Sequence, residues 1–137
     1  MSFIPRFKFD GMVRRLPVYT AITIAKYELV KMSSGYLTNG ASGDDEVEYV
    51  AIEAVDNASG DSGAKFCDVI PIADNQIWDA TVSATPVQAT HVGNDYDISS
   101  KTTIDVGNTT DKVFHIDEII NATDKIVRGR FNKPAIA

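Results

Sequence analysis

Short apolar stretches separated by turn-forming clusters constrain the fold of this chain more than any other feature. The stretches are rich in Val, Ile, Thr, Tyr and Phe, whereas the clusters between them are dense in Gly, Asn, Asp and Ser. Helical periodicity is weak, so the pattern predicts an all-β fold. The predicted strands are 22–24, 28–32, 36–38, 46–55, 65–72, 76–82, 95–98, 102–106, 112–119 and 125–132.

One of these strands carries apolar residues on both of its faces. Within residues 46–55, Val47 and Tyr49 fall on one face, and Val50 and Ile52 fall on the other. A strand whose two halves bury opposite faces usually contains a bulge or a sharp bend, as the strands of barrels do. The pattern therefore predicts such a distortion in this strand.

The whole pattern predicts a single small β-barrel (β-sandwich-like) domain over residues 22–137, preceded by an extended N-terminal arm over residues 1–21. In the arm, the period of two in residues 7–10 suits a strand that adds to the sheet edge of a partner. A second interpretation stays open, in which the aromatic side chains of the arm fill the bottom of the chain's own barrel. In the first interpretation the residues that bind the partner are Phe3, Ile4, Arg6, Phe7, Lys8, Phe9, Arg14 and Arg15.

Charge is distributed unevenly along the chain, whose formal net charge is −6. Residues 1–35 carry six basic and two acidic side chains, residues 36–110 carry two and thirteen, and residues 111–137 carry five and four. An acidic body repels nucleic-acid phosphates, so we expect no direct nucleic-acid partner. The basic N-terminal part suits docking on an acidic protein surface.

The expected compartment is a cytoplasm. No apolar run approaches the ~20 residues that a membrane span needs, so no membrane partner is expected. The first residues lack the apolar stretch of a signal peptide. A single cysteine, Cys67, excludes a disulfide within the chain. Stability is therefore expected to come from the core or from contacts between subunits.

The candidate sites for chemistry fail on the order or the spacing of their residues. Gly60-Asp61-Ser62-Gly63 resembles the nucleophile segment of trypsin-like serine proteases, but His91 and His115 both follow the serine, whereas that family places its histidine first. The acidic residues of 44–48 lack the spacing of a calcium-binding loop, and Cys67 and the histidines lack that of a zinc site. We therefore predict a protein that is not an enzyme and that uses no cofactor and no metal.

A series of seven segments combines core and turn residues in a recognisable order. The segments are Ser34-Gly35-Tyr36-Leu37, Tyr49-Val50-Ala51-Ile52-Glu53, Asp56-Asn57-Ala58-Ser59-Gly60, Val69-Ile70-Pro71-Ile72, Gln76-Ile77-Trp78-Asp79-Ala80, Gly93-Asn94-Asp95-Tyr96-Asp97-Ile98 and Val127-Arg128-Gly129-Arg130-Phe131. In this order, over most of residues 27–131, they resemble the small decoration (cement) proteins of tailed-phage heads.

The resemblance implies a β-barrel subunit that binds the outer surface of a phage head and stabilises the lattice of the major capsid protein. It also implies a homotrimer, assembly into a virion after synthesis in the host cytoplasm, and in some members an arm that clamps the capsid protein. The family binds through a surface and not through a motif, so no functional residue is carried over from it.

Two other functions stay open from the sequence. The first is another β-barrel component of a virion, such as a tail or baseplate adaptor or the base of a fibre. The second is a carbohydrate-binding β-sandwich, in which Trp78 or an exposed tyrosine would stack on a sugar ring. For Trp78 the alternation of residues 76–82 instead favours a place in the core.

Overall fold

Strands built from the predicted stretches make up most of the structure. In the computed structural model, which describes residues 3–7, 13–44, 47–73 and 75–132, thirteen strands and one helical turn are present. No helix in these ranges is long and apolar enough to cross a membrane. The elements are β1 (Phe3–Phe7), β2 (Arg14–Pro17), β3 (Ile22–Ile24), β4 (Leu29–Ser33), β5 (Tyr36–Asn39), β6 (Tyr49–Ala51), β7 (Val55–Asn57), β8 (Phe66–Pro71), β9 (Ile77–Val82), α1 (Gln88–His91), β10 (Asp95–Ser100), β11 (Thr103–Asp105), β12 (Phe114–Asn121) and β13 (Ile126–Phe131).

Five strands close into a barrel in the order β9-β11-β10-β12-β13, and β13 pairs back onto β9. All neighbours are antiparallel except β9 and β11, which run parallel. β1 pairs with the first part of β9, so that Phe3 lies opposite Ala80. The interior is held together by aromatic rings, because the ring centroid of Phe131 lies 5.6 Å from that of Trp78 and 5.0 Å from that of Phe114.

A second sheet, in the order β2-β8-β6-β4-β5, lies between two hydrophobic clusters. Along β6, Val50 belongs to the barrel cluster, whereas Ala51 belongs to a second, smaller cluster. The two-stranded β3–β7 ribbon contributes Ile24 to this second cluster. A parallel bridge between Val18 and Leu37 joins the chain after β2 to β5, at the other edge of the sheet.

The all-β barrel prediction is confirmed, and nine of the ten predicted strands are present with small shifts of their ends. The predicted strand 46–55 divides into β6 and β7, because the chain bends at residues 52 and 53 and leaves the second sheet for the ribbon. The apolar residues on both of its faces reflect the hydrophobic cluster on each side of that sheet. The sequence pattern does not predict β1, β2 or α1.

The described part of the predicted arm consists of two strands that pair with the rest of the chain. β1 pairs with β9, and β2 pairs with β8. Phe3 follows the second of the two interpretations of the arm, since it is fully buried and its ring centroid lies 5.2 Å from that of Phe131. The assignment of Phe3 to a partner-binding surface is thereby corrected. Lys8 and Phe9 lie outside the described residues, as does the side chain of Phe7.

Candidate binding surface

Two residues of the predicted binding set, Arg14 and Arg15, are exposed where β2 pairs with β8 at the edge of the second sheet. In this pairing Arg15 lies opposite Asp68, and Pro17 lies opposite Phe66. Because side chains alternate along a strand, these four residues share one face of the sheet. We call the surface here the β2 corner, and it consists of Val13, Arg15, Lys65 and Phe66, whereas Arg14 lies on the opposite face of β2.

The β2 corner combines exposed apolar and cationic side chains. Phe66 is 44% exposed and Val13 is 53% exposed, and they are two of the four large apolar residues exposed in the described ranges. The Arg15 guanidinium carbon lies 6.0 Å from the ring centroid of Phe66, and its Nη1 lies 3.2 Å from Asp68 Oδ1. Exposed ion pairs contribute little to stability, so Arg15 can exchange this carboxylate for one of a partner at low cost. Aromatic and arginine side chains are the types enriched in protein interfaces.

A cleft of ≈ 430 Å³ opens beside the corner. Arg15, Lys65 and Phe66 line it on the corner side, together with Glu53 and Asp56. The cleft forms where the chain leaves β6 while β8 continues, and the Glu53 carboxylate there accepts a hydrogen bond of 2.8 Å from the N–H of Asp68. A hydrogen bond from the N–H of Ala58, and a second from the Thr23 hydroxyl, lower the pKa of Asp56. The cleft thus presents both charge signs around an exposed ring, which suits an amphipathic protein segment.

The other described residues of the predicted set lie on the barrel. Ile4 is half-buried opposite Asp79. Asp79 Oδ2 accepts a hydrogen bond of 2.7 Å from Arg6 Nε, and Asp79 Oδ1 accepts one of 2.7 Å from Arg128 Nε. Burial of Asp79 raises the pKa of its carboxyl, but the hydrogen bonds from Arg128 and Arg6 outweigh burial and lower it. Arg6 therefore fastens β1 to the barrel, whereas Arg14 and Arg15 lie on the second sheet.

The serine-containing loop at residues 60–63 is tied into the fold by hydrogen bonds. Ser62 Oγ accepts a hydrogen bond of 3.1 Å from the N–H of Thr20, and the Thr20 hydroxyl donates one of 2.7 Å to the Gly60 carbonyl. His115 contacts Asp95 at 2.9 Å, and His91 Nδ1 accepts from the N–H of Val87. Each histidine is therefore bound to a group other than the serine.

The acidic stretch and the cysteine have structural partners. The Asp44 carboxylate binds Lys31 Nζ at 3.0 Å and the N–H of Ala41 at 2.9 Å. Asp45 and Glu46 lie outside the described residues. Burial, together with the nearby Glu53 carboxylate, raises the pKa of Cys67 to about 12, which keeps it in the unreactive thiol form. In the described ranges no group of three or more His, Cys, Asp or Glu side chains could hold a metal ion.

Trp78 is fully buried in the barrel, so its prediction as a core residue is confirmed. It cannot stack on a sugar ring, and the carbohydrate-binding interpretation loses its main platform. The five tyrosines of the chain are all at least half-buried as well.

Sequence reasoning missed Lys65 and Phe66 as members of the candidate surface. The pattern places them at the start of a strand, and their apolar and basic character alone indicates no function. They lie near Arg15 only because β2 pairs with β8. In this pairing Arg15 lies opposite Asp68, which is 53 positions further along the chain. No local signal in the sequence specifies that register.

No protein-family model matches the sequence, and no curated protein sequence matches it. The fold is similar to a solved crystal structure, that of the head fiber gp8.5 N base in bacteriophage phi29, with a TM-score of 0.59. The aligned region covers 92% of this chain and 99% of the phage protein, and the two sequences are 17% identical. The similarity is therefore one of fold, and it extends over nearly the whole of both chains.

Proposed function

We propose that this chain is a decoration (cement) protein that binds the outer surface of a phage head and stabilises the lattice of the major capsid protein. The observation that carries the proposal is the similarity of its fold, over 92% of the chain, to a protein of a phage head fibre. The resemblance of residues 27–131 to head decoration proteins supports the same setting. A fold of this kind needs rigid surfaces for binding, and the two hydrophobic clusters supply the rigidity.

The β2 corner is the surface that we assign to the major capsid protein. It places Phe66 next to Arg15 on a chain that is otherwise acidic. The cleft beside it can receive a protruding side chain or an extended segment of the capsid protein. An aromatic anchor flanked by arginine is a common centre of binding energy in protein interfaces.

A homotrimer would multiply the strength of this contact. Three linked subunits that each bind one capsid subunit can raise the avidity by roughly 10²–10⁴ without any strong single contact. Closed cyclic symmetry would also match a threefold position of an icosahedral lattice.

The proposal is tested by mixing the purified chain with phage heads that lack it and sedimenting the heads. The wild-type chain should sediment with the heads to saturation, and a Phe66→Ala/Arg15→Ala variant should bind at least tenfold more weakly. Ile120→Ala is the matched control, because Ile120 is 42% exposed on the barrel, and this variant should bind like the wild type. Wild-type chain that stays in the supernatant at all concentrations would refute the decoration role.

The second candidate is the base of a head fibre, which the name of the structurally similar protein favours. A fibre base would lie at the root of a projection that is visible in electron micrographs of the phage. A decoration protein would instead lie flat on the shell. Gold-labelled antibody against the chain should mark the shell surface evenly if it is a decoration protein. Label confined to the roots of projections would favour the fibre base instead.

A further inference from the structure

The buried carboxylate of Glu28, at the junction of the barrel and the second sheet, binds the side-chain nitrogens of Lys101 and Asn39. Glu28 is only 1% exposed. Its Oε2 lies 3.4 Å from Lys101 Nζ, and its Oε1 accepts a hydrogen bond of 2.8 Å from Asn39 Nδ2. Lys101 follows β10 of the barrel, whereas Asn39 ends β5 of the second sheet. One carboxylate therefore brings together an amine and a carboxamide from the two sheets.

The backbone around Leu29 fixes this arrangement. The N–H of Leu29 donates to the Lys101 carbonyl at 2.7 Å, and its carbonyl accepts from the N–H of Gly40 at 2.8 Å. The segments that carry Lys101 and Asn39 are thereby fastened to the residue after Glu28. The amide orientation of Asn39 is also defined, because Nδ2 donates to the Thr23 carbonyl at 3.1 Å as well as to Glu28. The reverse orientation would place an oxygen against two acceptors.

We propose that Lys101 and Asn39 form an intramolecular isopeptide bond, with Glu28 as the catalytic acid and base. The Lys101 ammonium gives a proton to the Glu28 carboxylate, and the free amine attacks Cγ of Asn39. The new bond joins Lys101 Nζ to Asn39 Cγ, and the bond from Cγ to Nδ2 breaks. Glu28 returns its proton to Nδ2, which leaves as ammonia and takes up a further proton from the Lys101 nitrogen. Nothing is oxidised or reduced, and no further reactant is needed.

The geometry makes this reaction more favourable here than between a lysine and an asparagine that share no carboxylate. Both nitrogens that change partners bind the same carboxylate, so one group serves the proton transfers at each. The Lys101 side chain is 41% exposed, and its flexible stem can swing Nζ from Glu28 onto Cγ while ammonia departs to solvent. The reaction occurs once per chain and makes the link between the two sheets covalent.

Mass spectrometry of the purified full chain tests the proposal. After incubation at neutral pH the intact protein should be lighter than its sequence by one ammonia molecule. Proteolytic digestion should yield a branched peptide that contains both Asn39 and Lys101. An intact mass that stays at the sequence value after prolonged incubation, with unlinked peptides only, would overturn the proposal.

Lys101→Arg is the decisive variant, because arginine can keep the ion pair with Glu28 but stays protonated and does not attack the amide. It should retain the full mass, and Lys112→Arg, an exposed lysine elsewhere, should lose ammonia like the wild type. Asn39 precedes Gly40, and cyclisation onto the Gly40 nitrogen would lose ammonia too. Ammonia loss that persists in Lys101→Arg would assign the loss to that cyclisation and refute the isopeptide bond.

Glu28→Gln tests the role of the carboxylate separately. The Glu28→Gln variant should form no cross-link. If this variant folds poorly, the branched peptide of the wild type still decides whether the bond exists. Cross-linking of Glu28→Gln at the wild-type rate would refute the catalytic role. The inference stands apart from the decoration role, since none of these experiments involves a phage head.

Discussion

At the scale of single residues, two phenylalanines distinguish the core from the proposed binding surface. Phe3 is fully buried among the rings of the barrel, whereas Phe66 is exposed at the β2 corner. Phe3→Ala should lower the free energy of unfolding by about 3–5 kcal/mol, because it leaves a cavity in the core. Phe66→Ala should change it by about 0.5 kcal/mol or less. Urea denaturation checks both values, and equal losses in the two variants would contradict the assignment of Phe3 to the core.

Asp79 gives the fold a specific sensitivity to acid. Its pKa is lowered in the folded chain by the hydrogen bonds from Arg128 and Arg6, so its ionised form stabilises the fold above the unfolded pKa of about 3.9. That contribution is lost as the pH falls through the lowered folded pKa. Asp79→Asn should cost about 1–3 kcal/mol at pH 7. Its stability should then fall less steeply than that of the wild type below about pH 4.

The matched control for Asp79 is Asp61→Asn, a change of the same kind at an exposed loop position. Denaturation midpoints measured from pH 7 to pH 2 should run parallel to the wild type in this control. A wild-type acid profile in Asp79→Asn would show that the two arginines contribute no net stabilisation.

At the scale of elements, the barrel contains a close approach of β13 to β12. A Cβ atom at Gly129 would collide with the carbonyl oxygen of His115 and the ring of Phe114. Gly129→Ala should therefore lower the free energy of unfolding by about 1–3 kcal/mol, because two backbones must separate. The exposed Gly107, whose added Cβ would come no closer than 3.3 Å to a side-chain oxygen, provides the control. Thermal melts of Gly129→Ala and Gly107→Ala that coincide would contradict a tight approach of β13 to β12.

Elements with strong local patterns could be predicted from the sequence, and the others could not. β2 has the sequence Arg-Arg-Leu-Pro, whose charges and proline do not mark a strand, and it forms because β8 offers it a sheet edge. α1 is a single turn without a side-chain cap. Arg15 could be selected from its charge, whereas Phe66 joins it only through the long-range register. Phe3 was assignable to the core only once its partners Phe114 and Phe131 were placed.

At the scale of the whole molecule, the second sheet packs against one hydrophobic cluster on each of its faces and so connects the two clusters. Leu29 and Val50 face the barrel cluster, and their neighbours Val30 and Ala51 face the other. In the proposed decoration role, such a molecule would connect several contacts with the capsid. Heads saturated with the chain should therefore release their DNA at a higher temperature than undecorated heads. Release measured by a DNA dye during heating checks this, and unchanged release from fully occupied heads would contradict a stabilising role.

The trimer is a separate prediction at this scale. Light scattering of the purified chain should give three times the mass of 14.9 kDa if the trimer exists before binding. A monomer in solution would restrict trimer formation to the surface of the head.

The position of the chain on the virion is the central claim, and an electron cryomicroscopy reconstruction of decorated heads tests it most directly. Subtraction of undecorated heads should leave density for the barrel on the outer surface, repeated with the lattice of the major capsid protein. The β2 corner, with Phe66, should face the shell. Density found only at the tail, or no added density on heads that carry the chain, would contradict the account.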